Sequence, residues 1–250
     1  MTRTEYCAKK EEAVRAFAYE GEILSLDPYG NGHINDTFLL KTKLPDGAER
    51  KYILQRMNHE IFLYPEQVMH NIVGVTSFLK EKIQKQGGDP LREAMTPLVA
   101  KSGEYFYRDS IGSFWRSYLF IEDTVCLDQV TRPEEFYESA VAFGHFQSLL
   151  ADYPAQELFE TIPHFHRYSK FVTAVLRDSC GRAASVEQEI LFLREREPFT
   201  HLITDLMKEG KIPLRVTHND TKLNNIMLDA KSGKAVCVID LDTVMPGSSL

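Results

Sequence analysis

Between Val216 and Asp242 the chain carries a dense set of polar residues: His218-Asn219-Asp220, then Lys222, Asn224-Asn225 and, fifteen residues past Asn225, Asp240 at the end of an apolar run, with Asp242 after it. An isolated carboxylate beside a lysine, followed by an amide and a second carboxylate brought in from another segment, is the set that phosphoryl transfer requires. That reaction asks little covalent work of a protein. It asks for an acceptor hydroxyl held in line with the phosphate, and for cations to absorb the developing charge. Asp220 would orient the hydroxyl and take its proton. Asn225 and Asp240 offer hard oxygen ligands suited to Mg²⁺, which keeps several of its waters. Lys222 is then available to the transferring phosphate. An Asn/Asp-rich surface turn ahead of a hairpin is the alternative reading, and the number of polar positions in register with apolar flanks outweighs it.

The flanking sequence supports this placement. Leu214-Arg215-Val216 and Ile226-Met227-Leu228 are short β-prone pieces, and Ala235 to Ile239 is another, introduced by the turn Lys231-Ser232-Gly233-Lys234. The order strand, polar loop, hairpin, strand follows.

His218-Asn219-Asp220 through Asn225, with Ile239-Asp240, resembles the aminoglycoside phosphotransferase and choline kinase superfamily. More narrowly, Gly30-Asn31-Gly32-His33-Ile34-Asn35-Asp36-Thr37-Phe38, Tyr52 to Asn58 and Asp240 to Gly247 resemble the N-acetylhexosamine 1-kinases. The resemblance implies an α+β, protein-kinase-like fold of two lobes, with an N-terminal antiparallel sheet carrying one helix and a mainly helical C-terminal lobe. It implies ATP, Mg²⁺ and phosphorylation of the anomeric 1-hydroxyl of N-acetylglucosamine or N-acetylgalactosamine. Another alcohol acceptor (an aminoglycoside, choline or homoserine) and a catalytically silent binding module remain the alternatives. Resembling enzymes continue with a further helical segment, so a chain ending at Leu250 is expected to leave the second lobe incomplete and its activity in question.

With 250 residues, 43% of them hydrophobic, the chain is long enough for one large domain or two lobes with real cores. A formal net charge of −7 argues against a nucleic-acid partner. The N-terminus lacks an apolar stretch, and no apolar run approaches membrane-spanning length, so a cytoplasmic protein with small-molecule partners is expected, its oligomeric state open. Cys7, Cys126, Cys180 and Cys237 have no paired spacing, which favours reduced thiols over disulfides or zinc.

The N-terminal part, residues 1–121, reads as the nucleotide-binding lobe, and residues 122–250 as the catalytic and acceptor-binding lobe. A leading helix is expected over Glu11 to Ala18. Ile23 to Leu26, Asp36 to Thr42 and Tyr52 to Leu54 then read as antiparallel strands. Gly30 and Gly32 between the first two would bring backbone N–H groups to phosphates, or merely close a hairpin. His33, Asn35 and Asp36 lie near enough to reach ligand or to satisfy the turn. On the third strand, where a kinase fold normally places a phosphate-holding lysine, stands Gln55 beside Arg56; alternation lets only one of them enter the cleft.

Pro65 to Lys85 carries an apolar face at Val68, Ile72, Val75, Leu79 and Ile83, which predicts a helix. Its Glu66 suits the helix dipole or pairs with a third-strand cation. Strands are expected around Leu98 to Tyr107 and Phe114 to Phe120. The hinge is placed at residues 121–125, with Glu122, where backbone groups would read the adenine edge. Thr131 to Glu134 is a capping pattern before a helix expected to bury Phe136, Ala140, Phe143 and Leu150. Phe165 or Tyr168 would stack on a sugar and His166 or Arg167 bond its hydroxyls, while a core patch at a helix start fits as well; a metal at His164 and His166 wants a third ligand. Further helices are expected over Val186 to Met207. Asn219 and Asn224 would touch substrate or stabilise the loop.

Overall fold

The computed structural model describes residues 3–30, 34–165 and 181–248. Helix α1 (Arg3–Ala16) precedes a five-stranded antiparallel sheet ordered β1-β2-β3-β5-β4. Its strands are β1 (Glu22–Pro28), β2 (Asp36–Lys43), β3 (Glu49–Met57), β4 (Tyr107–Arg108) and β5 (Phe114–Leu119). Thr37, Gln55 and Arg116 are direct cross-strand partners on β2, β3 and β5, as are Asp36, Arg56 and Trp115 one residue along. Because side chains alternate, these two rows project from opposite faces of the sheet. One face packs Phe38, Leu54 and Trp115 against Ala13 and Phe17 of the α1 end. The other carries Met57, Phe114 and Tyr118 onto α2 (Pro65–Lys85).

Helix α2 spans the predicted residues, because its apolar side chains recur every three or four positions and Val68, Ile72, Val75, Leu79 and Ile83 are all buried. Its core continues into the C-terminal half through Phe146, Val216, Ile226, Val238 and Leu241. There β6 (Thr124–Val125) pairs with β8 (Ile226–Asp229), β8 with β9 (Ala235–Val238), and β7 (Arg215–Thr217) with β10 (Met245–Gly247). Helix α3 (Pro133–Leu149) lies against β9, and α4 (Glu187–Arg196) and α5 (Leu202–Lys208) follow.

Three expectations need correction. The leading helix begins earlier and ends sooner, at Arg3–Ala16. The strand expected from Leu98 contracts to β4: Leu98 N–H still donates to Ser117 O, but Ala100 N–H turns to Glu104 O and closes a tight turn, with Gly103 at φ +94°. The stretch from Val186 does form two helices, parted after Arg196 by a 3₁₀ turn containing Pro198, since proline cannot continue the backbone ladder. On α3 the buried face runs through Glu135, Glu138, Ala142, Phe146 and Leu149, while Phe136 is 69% exposed. Two carboxylates point inward because each is satisfied there. Glu135 accepts N–H bonds from Thr131 and Arg132 at the helix start, and Glu138 accepts from Lys234 Nζ and Ala235 N.

Candidate active site

The loop after β7 is built by hydrogen bonds that leave its side chains little choice. The His218 ring, buried and edge-on to Phe143 and Phe146, donates from Nε2 to Ile239 O at 2.9 Å and accepts the Asp220 N–H at Nδ1 at 3.3 Å. That pairing requires the neutral ring, and burial lowers the His218 pKa accordingly. Asn219, at φ +64°, donates from Nδ2 to Thr243 O at 2.8 Å, and Thr243 Oγ1 donates to His218 O at 2.6 Å. The loop is thereby laced to the turn that follows β9.

Asp220 emerges from this frame half-buried. Lys222 Nζ stands 2.7 Å from its Oδ2, and Asn225 Nδ2 donates to the same oxygen at 2.9 Å and to Asp220 O at 2.8 Å. Burial would raise the Asp220 pKa, but these two donors more than offset it and leave the carboxyl lowered and ionised. Because Nδ2 of Asn225 is committed, its Oδ1 is the atom left to a ligand. Ile239 N–H donates to Asn225 O at 2.9 Å, which sets Asp240 beside this residue.

Asp240 caps a 3₁₀ turn at φ 59° and ψ 60°. Its carboxyl is pushed up to about 6 by burial and then by Asp242, with Arg116 and Lys222 only partly offsetting. A carboxylate so under-compensated is relieved by a cation. Together with the amide oxygen of Asn225 it forms a hard-oxygen donor pair that fits Mg²⁺ completed by water and phosphate oxygens. Among the described residues no group of three or more His, Cys, Asp or Glu side chains could hold a metal unaided.

Asp242 is 2% exposed and meets the buried Arg116 of β5 through both oxygens, Nη1 to Oδ1 at 2.5 Å and Nη2 to Oδ2 at 3.0 Å. Burial alone would lower the Arg116 pKa, but Asp242 overcomes it and the guanidinium stays charged. Arg116 Nε donates to Gln55 Oε1 at 3.0 Å, and Gln55 Nε2 to Thr37 Oγ1 at 2.9 Å. Gln55 therefore looks toward Arg116 and the turn that holds Asp242, while Arg56, on the other face, pairs with Asp36 at 3.6 Å. Glu66 is exposed, and among the described residues no ion pair joins it to the third strand.

The remaining sequence candidates are spread more widely. Asn35 reaches the centre, donating to Asp242 Oδ2 at 2.7 Å. Gly30 adopts φ +76° in the β1–β2 turn, and a Cβ there would meet open space, so its glycine serves the backbone angle rather than close packing. Glu122 directs its carboxylate to Lys51 on β3 at 2.9 Å, and Phe165 sits in the turn after Pro163 with its N–H on Ile162 O. Gly32, His33 and His166 lie outside the described residues. Arg116 escaped the sequence reading. Its only local sign is a charged residue inside the run Phe114-Trp115-Arg116-Ser117-Tyr118, and a charge within a buried strand needs a partner.

Next to Asn219 opens a cleft of about 1080 Å³, lined by Glu195, Arg196, Phe199, Ile203, Lys208 and Pro246 among others. The arrangement can hold a hydroxyl at Asp220, a divalent cation at Asn225 and Asp240, and a molecule of drug-like size beside them. No helix of the described residues is long and apolar enough to cross a membrane.

The sequence model described as the phosphotransferase enzyme family matches residues 25–249. Among solved structures, the GDP complex of an aminoglycoside 2'-phosphotransferase aligns with a TM-score of 0.56 at 11% identity, covering 99% of this chain and 74% of that one. A microcompartment-associated aminopropanol kinase gives 0.57 at 14%, covering 97% and 71%. An amicoumacin kinase in complex with AMP-PNP and Ca²⁺ gives 0.54 at 11%, covering 99% and 68%. Identities this low show a shared kinase-like fold.

Proposed function

The chain belongs to the phosphotransferase enzyme family, and on that premise we propose that it transfers the γ-phosphoryl group of ATP to the anomeric hydroxyl of an N-acetylhexosamine, N-acetylglucosamine or N-acetylgalactosamine. The observation that carries the site is Asp220, held ionised by Lys222 and Asn225, with its chain neighbour Asn219 lining the cleft. The sugar rests on the sequence resemblance of residues 30–38, 52–58 and 240–247 and on the mixed apolar and charged cleft lining, where Phe199 offers a ring face and Arg196 and Lys208 offer donors.

Asp220 receives the acceptor hydroxyl as hydrogen-bond acceptor and aligns its lone pair. Its lowered pKa makes it a weak base. That suffices, because in a loose transition state the hydroxyl gives up its proton late, after most of the bond to the leaving oxygen has gone. The new bond forms between acceptor oxygen and phosphorus, the β–γ bridging bond breaks toward ADP, and the proton passes to Asp220. Lys222 keeps the base ionised and stands ready for the transferring phosphate. Asn225 Oδ1 and Asp240 would hold Mg²⁺. When bound, that ion neutralises charge on the phosphate oxygens. Gly30 and Gly32, Gln55 and the 121–125 segment with Glu122 would line the nucleotide, so that residues 1–121 form the nucleotide lobe and residues 122–250 the catalytic lobe. His33, Asp36, Phe165 and His166 remain candidates for the acceptor side.

Glu195 in the same cleft supports a second reading, an alcohol acceptor that carries a positively charged nitrogen, such as choline, homoserine or an aminoglycoside. ATP consumption with Mg²⁺ across both free N-acetylhexosamines, their 1-O-methyl glycosides, choline, homoserine and kanamycin separates the two. The expected result is turnover with the free sugars and none with the methyl glycosides. Turnover confined to the amines would replace the sugar reading with the second.

A further inference from the structure

Asp242 sits two residues beyond Asp240, yet it is not built as a ligand. Both of its oxygens are taken: Oδ1 by Arg116 Nη1, Oδ2 by Arg116 Nη2 and by Asn35 Nδ2 at 2.7 Å. Asn35 in turn accepts the Asn58 N–H on Oδ1 at 2.9 Å, so its amide joins the end of the β1–β2 turn to the end of β3 and to the turn behind the catalytic loop. Arg116 brings in β5 and, through Nε, the Gln55 amide. Three strands of the N-terminal sheet thus converge on one carboxylate. A buried ion pair is a costly way to gain stability, since apolar side chains of similar volume do as well. What such a pair provides is geometry, because a bidentate guanidinium fixes a carboxylate in plane and register.

We propose that Asn35 and Arg116 are positioning residues for the nucleotide, acting through Asp242 to hold the Asp240 turn in one fixed relation to the start of β2 and the end of β3, and that the buried cation of this junction is Arg116 on β5, the third strand presenting the neutral Gln55. The proposal rests on the phosphotransferase reading of the site. It accounts for Gln55: the residue accepts from Arg116 Nε, and a lysine there would set a second ammonium against the guanidinium. Restoring a lysine at this position therefore weakens the site instead of repairing it.

The test is titration calorimetry of the full chain with Mg²⁺ and AMP-PNP, together with the KM for ATP and for the acceptor, on Asn35→Ala, Arg116→Lys, Gln55→Lys and the Asn35→Ala/Arg116→Lys pair. Each single change is expected to cost about tenfold or more in nucleotide affinity and in the KM for ATP while leaving the acceptor KM unchanged. The pair is expected to lose no more than the worse single, because both act on one carboxylate. A purely structural role lowers the melting temperature and leaves nucleotide affinity at the wild-type value, which overturns the proposal. So do losses that multiply in the pair, or a Gln55→Lys chain that binds nucleotide more tightly. If Arg116→Lys fails to fold, the half-buried Asn35 and Gln55→Lys decide the matter. Asp220→Asn distinguishes the two levels: lost turnover with nucleotide affinity retained upholds the site whatever these variants do, whereas a wild-type chain that binds no Mg²⁺-nucleotide overturns both.

Discussion

At Asp220 the two neighbours that keep the carboxylate ionised also limit its strength as a base. Lys222 and Asn225 stabilise the charged form, so in the proposed reaction the group would align a hydroxyl well and take its proton only as the transition state breaks down. Asp220→Asn retains the shape and forfeits the proton acceptor. We expect kcat to fall on the order of 10²–10⁴-fold, with affinity for AMP-PNP unchanged by calorimetry, because Asn225 Oδ1 and Asp240 remain. A fall in affinity as large as the fall in kcat would instead place Asp220 in the nucleotide site. The adjacent asparagines divide unexpectedly. Asn219 spends its Nδ2 on Thr217 O and Thr243 O, and Asn225 spends its own on Asp220, so the sequence shows both amides but not which oxygen is left over.

The elements were legible wherever a single one sets its own pattern. Helix α2 announces itself through apolar residues every three or four positions, and the β8–β9 hairpin through its turn, since both patterns are local consequences of burying one face. What stayed hidden depends on partners remote in sequence. Glu138 looks like a solvent-facing residue of α3 until Lys234 and the Ala235 N–H arrive at the start of β9, and Arg116 looks like a misplaced charge until Asp242 arrives. The attachment of α1 to the sheet is another case. Glu12 accepts from Lys9 Nζ, Tyr107 OH and Ser110 N, each at 2.8 Å, and is held down to about 2, chiefly by Lys9. A carboxyl lowered on folding contributes stability that is full above its ordinary value of 4.5 and is lost as pH falls toward about 2. The difference in urea midpoint between wild type and Glu12→Gln should therefore be constant near neutrality and narrow steadily below pH 4.5. A gap that does not change with pH would mean that Glu12 acts by packing alone.

Across the whole molecule, one apolar core runs from the sheet and α2 into the C-terminal half, and polar ties add a specific geometry to it. One is the Arg116–Asp242–Asn35 junction. Another is Asn71, wholly buried on α2, whose Nδ2 donates to Val244 O and Phe159 O at 2.8 Å each and whose Oδ1 accepts the Phe159 N–H at 2.9 Å. A single amide thus ties the helix behind the sheet to the segment after α3 and to the strand entering β10. The two junctions differ in what they hold: Asn71 grips backbone, whereas Arg116 and Asn35 grip the carboxylate next to the proposed metal ligand. Asn71→Leu keeps the number and branching of heavy atoms but leaves Val244 O without this donor and the Phe159 groups to whatever water reaches them. The cost should be about 2 kcal/mol, read as a fall in melting temperature of roughly 4–8 °C for a chain of this size. Below that transition the variant should bind AMP-PNP and Mg²⁺ as the wild type does, in contrast to Asn35→Ala. If Asn71→Leu instead weakens nucleotide binding as much as Asn35→Ala, the position of Asp242 is set by the backbone of Val244 as well as by its own carboxylate, and the two junctions are one mechanical unit.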